Sequence, residues 1–575
     1  MSKLAIHIGG GDASALLARL QPPAGRGERI DRPGFSIAAD GAVRTLRAGS
    51  CTLLVSGTPL PEPPACPAHW REAAGAFAER DGIHVLVLLD EAAGRLVIAT
   101  DFLGLQPLYW SRGPDGLRLC SDTKAFPAAA PDPAAWGGFL ALGTTLGDRT
   151  LTEGVTRVPA ASVVVIDLAT AAVVETRRWW RLERPARDAS AAEVAAAFDD
   201  SMDRAVAAAR HPHTLLLSGG FDARLMACAL TRRGVPVEAV VVSHADENFD
   251  ADGRYAQAMA RRLGIPCRFV RPDPDFFSSP AFLDYLFASD GEVPGMGLFI
   301  TQVGQFVPPG RTVWDGLLPD KALKPAADGP GGFAGFVAAK VRPWGAPVWE
   351  AACAVFGRDL ARAMWEGFEA DLRAEIAQDR DDAAGVAAFV LRNRGRNRIA
   401  PNPFKVFQRA AQPLTPGMTR AFIEATLPLP AERKAGGQLY FDLFRAVMPE
   451  ALSVPIASGD TLVRPHALSV EYYLWANLIR AGRFVRRRPR LMRLMGLKGR
   501  LPAFRRSAWL DAPALWGAPD PLLAGPAFAA LRDGRTVSPA AQQVLFYWQT
   551  WRWLHRGELR DKLGVAGGGV EAEAV

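Results

Sequence analysis

Apolar and polar residues alternate in short runs along the first 180 positions of the chain. The run "GIHVLVLLD" (82–90) is rich in β-forming apolar residues, "EAAGR" (91–95) has the composition of a turn, and "LVIATD" (96–101) is a second apolar run. "LRLCSD" (117–122) and "ASVVVIDLATAAVVETRRWW" (161–180) continue the series. The pattern predicts a meander of antiparallel strands in this part of the chain.

A short polar stretch separates this series from a different pattern. "SAAEVAAAFDDSMDRAVAAAR" (190–210) begins with a serine cap and has apolar residues at helical spacing. After it, short apolar runs alternate with helix-length segments, as in "TLLLSGG" (214–220) followed by "DARLMACALTRRG" (222–234). This alternation is typical of a parallel, doubly wound sheet. We therefore predict an α/β protein with an antiparallel domain over residues 1–188 and a parallel-sheet domain over residues 189–575.

The segment "SGGFD" (218–222) joins an apolar strand to a helix and has the residues of a phosphate-binding loop. Main-chain N–H groups at a helix start lack intrahelical partners and lie at the positive end of the helix dipole. Gly219 and Gly220 would let phosphate oxygens approach the backbone, and Ser218 adds a hydroxyl donor. Asp222 would repel a bare phosphate, which favours a bridging Mg²⁺. From these residues alone, a simple tight turn is the alternative, because the spacing is not that of a Walker loop.

Composition and charge narrow the class of protein. Hydrophobic residues make up 49% and charged residues 22% of the 575 positions, which is usual for a packed globular protein. No apolar run reaches the length of a membrane span, and the start of the chain does not resemble a signal peptide. The six cysteines are scattered without a C-x-x-C pair, which argues against a disulfide framework or a zinc site. A cytoplasmic protein is therefore expected.

The net charge of +7 includes one strongly basic segment, residues 480–506, with eleven Lys or Arg residues and no acid. A solvated helix face is one interpretation of this segment. A docking surface for an acidic partner or peptide is the other. Nucleic acid is not expected as a partner, because no aromatic residues are interleaved with the basic ones in a recognisable motif.

Several motifs resemble the asparagine synthetase family and follow the family's order. "DFLGLQPLYW" (101–110) and "LCSDTKAF" (119–126) are similar to segments of its glutaminase domain, and "LTEGVTRVPAASVVVID" (151–167) is similar to the segment joining its domains. "SGGFD" is similar to the pyrophosphate loop of N-type ATP pyrophosphatases. "TVWDGLLPDKAL" (312–323) is similar to the second nucleotide segment, D-G-x-G-G-D-E-L. The resemblance covers most of residues 75–325.

The resemblance implies both the fold and a nucleotide site. It implies a glutaminase-like domain of the Ntn type with antiparallel sheets, followed by a doubly wound ATP-pyrophosphatase domain. ATP and Mg²⁺ are the implied cofactors, and Asp222 and Asp320 are the implied metal ligands. The residues that the resemblance assigns to ATP are Leu216, Ser218, Gly219, Gly220, Asp222, Val242, Asp315 and Gly316, with Leu216 and Val242 at the adenine.

Departures from the family pattern bear on the reaction. The family's glutaminase uses a cysteine directly after the initiator methionine as its nucleophile, whereas this chain has Ser2. A vestigial glutaminase-like domain is therefore expected. Family members without that cysteine close internal amides in β-lactams, carbapenams or lasso peptides. The β-lactam branch is expected to carry a tyrosine and a lysine where this chain has Leu317 and Ala457.

These departures, with the basic segment, favour a lasso peptide cyclase (a macrolactam synthetase). That reading implies a core peptide as substrate, with a leader peptidase and a recognition protein as partners. One alternative is a ligase that acts on a small-molecule acid and amine. A second alternative is a non-catalytic scaffold that binds nucleotide or peptide.

Three residues are weak candidates for catalysis. Glu292, with Asp290, lies in "SDGEVPGMG" (289–297), where the family has a substrate-facing loop; a turn or capping role is the alternative. Lys321 replaces the usual glutamate and would contact phosphate or face solvent. Glu350 is the acid nearest in sequence to the position expected for a second catalytic glutamate.

Overall fold

The structure is a computed structural model of the chain. The residues that it describes are 3–20, 27–63, 65–77, 80–126, 130–181, 187–210, 212–242, 251–271, 276, 280–292, 303–317, 322–324, 332–408, 411–458, 461–463, 481, 484–485, 488–495, 520, 522–532 and 537–556.

Two antiparallel sheets make up the amino-terminal part of the chain. Their strands are β1 (Leu4–Gly9), β2 (Arg29–Arg32), β3 (Phe35–Ala39), β4 (Arg44–Ala48), β5 (Cys51–Leu60), β6 (Asp81–Asp90), β7 (Arg95–Thr100), β8 (Tyr109–Gly113), β9 (Gly116–Cys120), β10 (Val155–Arg157), β11 (Ser162–Asp167) and β12 (Val173–Arg178). The first sheet has the order β10-β8-β9-β1-β3-β2 and the second β12-β11-β7-β6-β5-β4. The predicted antiparallel pairing is confirmed, but the strands do not form one meander, because β7 and β8 lie in different sheets.

The central strands of the second sheet are buried on both faces, which explains why they have no polar alternation. On β6, Val85, Val87 and Leu89 face the first sheet in one core cluster. The intervening Leu86 and Leu88 belong to a separate cluster on the opposite face. Alternate side chains of a strand point to opposite faces, so a strand covered on both sides must be apolar throughout.

Asp101 organises the turn that follows β7. Its buried carboxylate accepts hydrogen bonds from the main-chain N–H groups of His84 (3.3 Å), Leu103 (3.1 Å), Leu105 (2.9 Å) and Gln106 (2.9 Å). Because the donors are main-chain groups, the aspartate of "DFLGLQPLYW" determines the path of the loop. This motif therefore has a structural role.

Helices occur in both parts of the chain but dominate the second. They are α1 (Ala13–Leu17), α2 (Trp70–Ala76), α3 (Pro133–Leu142), α4 (Ala191–Ala208), α5 (Phe221–Arg232), α6 (Ala251–Leu263), α7 (Pro280–Ala288), α8 (Gly332–Phe336), α9 (Arg342–Phe356), α10 (Arg358–Ile376), α11 (Ala383–Val390), α12 (Pro401–Phe407), α13 (Arg420–Thr426), α14 (Ala431–Lys434), α15 (Gln438–Val447), α16 (Pro489–Leu494), α17 (Pro526–Arg532) and α18 (Pro539–Arg556). Residues Val337–Val341 and Leu391–Ile399 are π-helical.

The second part of the chain is built on a parallel sheet. Its strands are β13 (His213–Leu216), β14 (Glu238–Val242), β15 (Cys267–Val270), β16 (Thr312–Trp314) and β17 (Gln412–Leu414), in the order β15-β14-β13-β16-β17. Every neighbouring pair in this sheet is parallel. A small antiparallel pair of strands, β18 (Ile456–Ser458) and β19 (Thr461–Val463), follows this sheet in the chain.

The fold class predicted from the sequence is confirmed: antiparallel sheets are followed by a parallel α/β sheet. The predicted helix after the polar stretch begins at Ala191, where Ser190 and Glu193 form a reciprocal capping box. The exact boundary between residues 188 and 189 stays a prediction. Among the helices of the described residues, none combines the length and apolarity needed to cross a bilayer.

A buried ion network joins the two parts of the chain at Asp290. Its carboxylate accepts hydrogen bonds from Lys124 Nζ (2.8 Å) and Lys405 Nζ (2.7 Å). The Lys124 ammonium also donates to Asp122 Oδ1 (2.8 Å). The other carboxylate oxygen of Asp122, Oδ2, accepts a hydrogen bond from Lys3 Nζ (2.8 Å). Although burial alone would raise it, the ammonium groups of Lys124 and Lys405 hold the pKa of Asp290 well below its usual range.

Glu292 belongs to the same network. Its Oε2 atom accepts hydrogen bonds from Arg157 Nη2 (2.7 Å) and from the Tyr109 hydroxyl (3.1 Å). Lys405 Nζ donates to the same hydroxyl (3.1 Å), which links this pair to Asp290. Asp290 and Glu292 are thus bound to cations from both parts of the chain. These contacts are structural, as the turn or capping alternative of the sequence analysis would be.

Replacement of Lys405 tests how much the network contributes to stability. Lys405→Met leaves the buried Asp290 carboxylate with one ammonium fewer, and we expect the free energy of unfolding to fall by about 3 to 5 kcal/mol. Lys340→Met, at an exposed lysine, is the matched control. Urea unfolding followed by circular dichroism measures both. Equal stability of the two variants would contradict a strong contribution from the network.

Two histidines are buried in the neutral form. Burial lowers the pKa of His84 to about 3 and that of His555 to about 4. His84 lies in β6 with neither ring nitrogen hydrogen-bonded within the described part of the chain. His555 Nε2 is 3.2 Å from Thr123 Oγ1. Below the ordinary histidine pKa, about 6.5, the unfolded chain binds protons at these residues and the folded chain does not.

The contribution of these two histidines to stability should therefore fall as the pH is lowered from about 6.5 towards 4. His84→Leu removes one of these protonations and should reduce the slope of unfolding free energy against pH by about 1.4 kcal/mol per pH unit. Urea unfolding at several pH values in this range measures the slope. An identical slope in the parent and in the variant would show that His84 is already charged in the folded protein.

Candidate functional site

The carboxyl end of β13 is the point where the strand order of the parallel sheet reverses. The chain passes from β13 to β14 on one side, and later returns to β16 on the other side. In open parallel sheets, ligands bind in the crevice at this point. Two loops meet here: residues 217–220 after β13, and residues 315–317 after β16. The second loop lies against the start of α5, since a Cβ on Gly316 would lie 2.6 Å from Ala223 N.

The S-G-G loop is held from the side of α6. Gly219 N donates to Asp252 Oδ1 (3.1 Å), and a Cβ on Gly219 would lie 2.6 Å from the Asp252 carbonyl oxygen. Gly220 N donates to Ser218 Oγ (3.3 Å). Gly220 is the N-cap of α5 and has no side chain with which to cap the helix. The loop thus needs glycine for its close approach to α6, and it leads into a helix start without a side-chain cap.

Asp222 lies in the first turn of α5 and is bound by a tyrosine. The Tyr440 hydroxyl donates a hydrogen bond to Asp222 Oδ1. The ring of Tyr440 packs against Phe221 at a centroid distance of 4.6 Å, and Lys324 Nζ lies 5.1 Å from the Phe221 centroid and 5.4 Å from that of Tyr440. The carboxylate is therefore oriented by α15, and a cation lies beside the aromatic pair.

Asp315 follows β16 at the same edge of the sheet. Its main-chain N–H donates to Leu414 O (3.1 Å). Burial raises the pKa of its carboxyl to about 7. A carboxyl with this pKa can gain or lose a proton near neutral pH, and a cation nearby would favour its ionised form.

Leu216 and Val242 lie at the carboxyl ends of the neighbouring strands β13 and β14. Both are partly buried and pack against one small apolar cluster that includes Val303, Val313 and Phe407. The structure therefore brings the two residues together on one apolar wall beside the S-G-G loop. Their assignment to adenine stays a prediction.

The carboxyl-terminal segment before and within β18 contacts the S-G-G loop. Ala457 N donates to Gly219 O (2.9 Å), and Ala457 O would lie 3.4 Å from a Cβ on Gly220. Arg224, which is buried in α5, donates to Pro455 O (2.6 Å). Ala457 is thus a direct neighbour of the loop.

The sequence analysis missed Arg224, Asp252 and Tyr440. One signal for Arg224 was present, because an arginine interrupts the otherwise apolar sequence "ARLMACAL" of a buried helix. Asp252 and Tyr440 had no comparable signal, since their partners Gly219 and Asp222 lie far away in sequence.

The remaining predicted residues have different outcomes. Asp320 and Lys321 lie outside the described residues, as does most of the basic segment 480–506. Glu350 is exposed on α9, and Glu292 is in the buried ion network. Their assignment to catalysis stays a prediction.

Of the two predicted Mg²⁺ ligands, only Asp222 lies in the described part of the chain. Within the residues that the structure describes, no three His, Cys, Asp or Glu side chains gather as they would around a metal ion. Asp222, a carboxylate in the first turn of α5, has the chemistry of a Mg²⁺ ligand and fits the predicted site.

Comparisons with known proteins agree with this architecture. Residues 68–180, which run from just before α2 to the end of β12, match the glutamine amidotransferase domain family. A carboxyethyl-arginine β-lactam-synthase of Streptomyces clavuligerus is 31% identical over 258 residues, or 40% of this chain and 48% of that protein. The chain thus spans about half the length of this relative. Both similarities support the resemblance to the asparagine synthetase family.

Two solved structures match part of the chain at low identity. The allosteric regulatory enzyme of purine biosynthesis is 11% identical, with 49% of this chain and 82% of that chain covered, at a TM-score of 0.20. The glutamine phosphoribosylpyrophosphate amidotransferase of B. subtilis is 13% identical, with 60% and 80% covered, at a TM-score of 0.20. At these scores the likeness carries no argument about this chain.

Substitution of Gly316 tests the close contact between the loop after β16 and the first turn of α5. Gly316→Ala places a methyl group 2.6 Å from Ala223 N, and we expect a loss of about 1 to 3 kcal/mol in unfolding free energy. Gly10→Ala is the control, because a Cβ there would have no atom within 4 Å. Thermal unfolding of both variants measures the difference. Equal stability of Gly316→Ala and Gly10→Ala would contradict this close contact with α5.

Proposed function

We propose that the chain is an ATP-dependent ligase that forms an amide bond through an acyl-adenylate and releases AMP and pyrophosphate. The observation that carries this proposal is the S-G-G-F-D loop at the switch point of the parallel sheet. There, two glycines, a helix start without a side-chain cap and Asp222 lie together. Main-chain N–H groups in this arrangement bind phosphate oxygens, and the helix dipole favours their negative charge.

The residues of the site would bind different parts of Mg²⁺-ATP. The N–H groups at the start of α5, with Ser218, would bind the pyrophosphate part of ATP. Leu216 and Val242 would pack against the adenine on the apolar wall. Asp222 would hold Mg²⁺, with its carboxylate oriented by the Tyr440 hydroxyl. When bound, Mg²⁺ would neutralise charge on the leaving pyrophosphate.

The reaction would take place in two steps. A carboxylate oxygen of the substrate attacks the α-phosphorus of ATP, and pyrophosphate leaves. An amine nitrogen then attacks the activated carbonyl carbon, the bond to AMP breaks, and the amine proton is lost to solvent or to a base. The first step is needed because a free carboxylate at neutral pH resists attack by an amine, whereas AMP is a good leaving group.

The finer proposal is macrolactam closure in a lasso peptide. The amino-terminal amine of a leader-free core peptide would attack an adenylated Asp or Glu side chain of the same peptide. Leu317 and Ala457 support this choice, since both lack the polar groups expected for β-lactam closure. A large ring depends mainly on holding the two ends together. The proposal implies a leader peptidase and a recognition protein as partners.

A second candidate is closure of a small molecule. The similarity to the carboxyethyl-arginine β-lactam-synthase of S. clavuligerus favours it. The two candidates share the adenylation step and differ in the substrate, so that they can be separated in one assay.

Asp222→Asn tests the adenylation step. Loss of the carboxylate removes the proposed Mg²⁺ ligand, and we expect AMP formation to fall by about 100-fold or more. The assay contains ATP, MgCl₂ and synthetic peptides with a free amino terminus and one internal Asp or Glu, and measures AMP and peptide mass. Asp203→Asn is the control, at an exposed carboxylate of α4.

Each outcome of this assay has a definite meaning. AMP with loss of one water from the peptide supports macrolactam closure. AMP with N-carboxyethyl-arginine but with no peptide supports the small-molecule candidate. Equal AMP formation by Asp222→Asn and Asp203→Asn would contradict the proposed role of Asp222, and the absence of AMP in the parent with either class of substrate would favour a scaffold.

A further inference from the structure

Arg224 is a buried cation whose hydrogen-bond partners, as the structure shows them, are main-chain carbonyl groups. It is 0% exposed in α5, one turn after the S-G-G loop. Its Nη1 donates to Ala451 O (3.2 Å) and Val454 O, and its Nη2 donates to Pro455 O (2.6 Å). Burial of a guanidinium that pairs with main-chain carbonyls and not with a carboxylate costs free energy. A buried arginine of this kind is therefore expected to have a specific structural or functional role.

The three carbonyls belong to one short segment that forms a side of the S-G-G loop. Residues 451–455 lead directly into β18, where Ala457 N donates to Gly219 O (2.9 Å). Arg224 Nη2 is 3.5 Å from the same Gly219 oxygen. Arg224 therefore links the loop and the segment from the inside of the protein, while Ala457 links them at the edge of the site.

The guanidinium suits this task better than other side chains. Its planar fork can donate to several carbonyls in fixed directions at once, whereas a lysine ammonium is a flexible point charge. Burial lowers the pKa of Arg224 to about 10, so that the group stays charged at neutral pH. Its positive charge adds to that of the α5 helix start beneath the loop.

We propose that Arg224 is a positioning residue for ATP. It acts by fixing residues 451–458 against the S-G-G loop. The inference rests on the proposed function, since it assumes that the loop binds the phosphates of ATP. ATP and the segment are then coupled: nucleotide bound at the loop stabilises the segment, and a displaced segment weakens nucleotide binding.

The test compares three variants with ATP and MgCl₂ as the probe. Arg224→Lys keeps the charge and loses the fork. Ala457→Pro leaves Arg224 intact and removes the N–H donor to Gly219 O, so that it is informative even if Arg224→Lys does not fold. Arg233→Lys is the control, on the same helix region but paired with Asp203 at the surface. Hydrogen–deuterium exchange measures segment 451–458, and calorimetry measures ATP affinity.

In the parent and in Arg233→Lys, ATP should slow exchange in both the loop and the segment. In Arg224→Lys and Ala457→Pro, we expect about tenfold weaker ATP binding and no slowing in the segment at saturating ATP. A merely structural role would change stability but leave this ATP-dependent protection. Parent-like affinity and protection in both variants would overturn the inference. If the parent itself does not bind ATP, the proposed function fails first, and the inference with it.

Discussion

The burial of opposite charges between the two parts of the chain is the constraint on which the rest of the structure depends. The network contains Lys3, Lys124, Arg157 and Lys405 on the basic side and Asp122, Asp290 and Glu292 on the acidic side, all at most 6% exposed. Such groups are stable only when each finds its partner, because an unpaired buried charge costs several kcal/mol. The turn over residues 289–292 is therefore fixed by both parts of the chain, although Asp290 has a left-handed φ of +60°.

The candidate site depends on a second constraint, the close approach of backbone segments at the switch point. Gly219 and Gly316 have no room for a Cβ, and Arg224 ties residues 451–455 to the same loop. The glycine-rich loop thus does more than leave space for a ligand. Gly219 contacts α6 through Asp252 and contacts β18 through Ala457, while the loop after β16 lies against the start of α5. These contacts give a helix start a defined position for phosphate.

The sequence predicted what local patterns determine. Strand and helix alternation, the serine cap at residue 190 and the S-G-G-F-D loop all follow from residues that are close in sequence, and each has its expected place. Glu292 illustrates the limit. Its partners Arg157 and Tyr109 lie more than 130 residues away, so that no local pattern could distinguish a buried ion pair from a substrate contact. Arg224 and Tyr440 are similar cases.

The exchange of labelled pyrophosphate into ATP is the measurement that tests the central claim most directly. The protein would be incubated with ATP, MgCl₂ and a peptide that has an internal Asp or Glu but a blocked amino terminus. Because the amide cannot form, labelled pyrophosphate can attack the α-phosphorus of the acyl-adenylate and displace the carboxylate to form ATP. We expect label in ATP that depends on the acidic side chain and on Asp222. Formation of ADP and phosphate in place of this exchange would contradict the central claim.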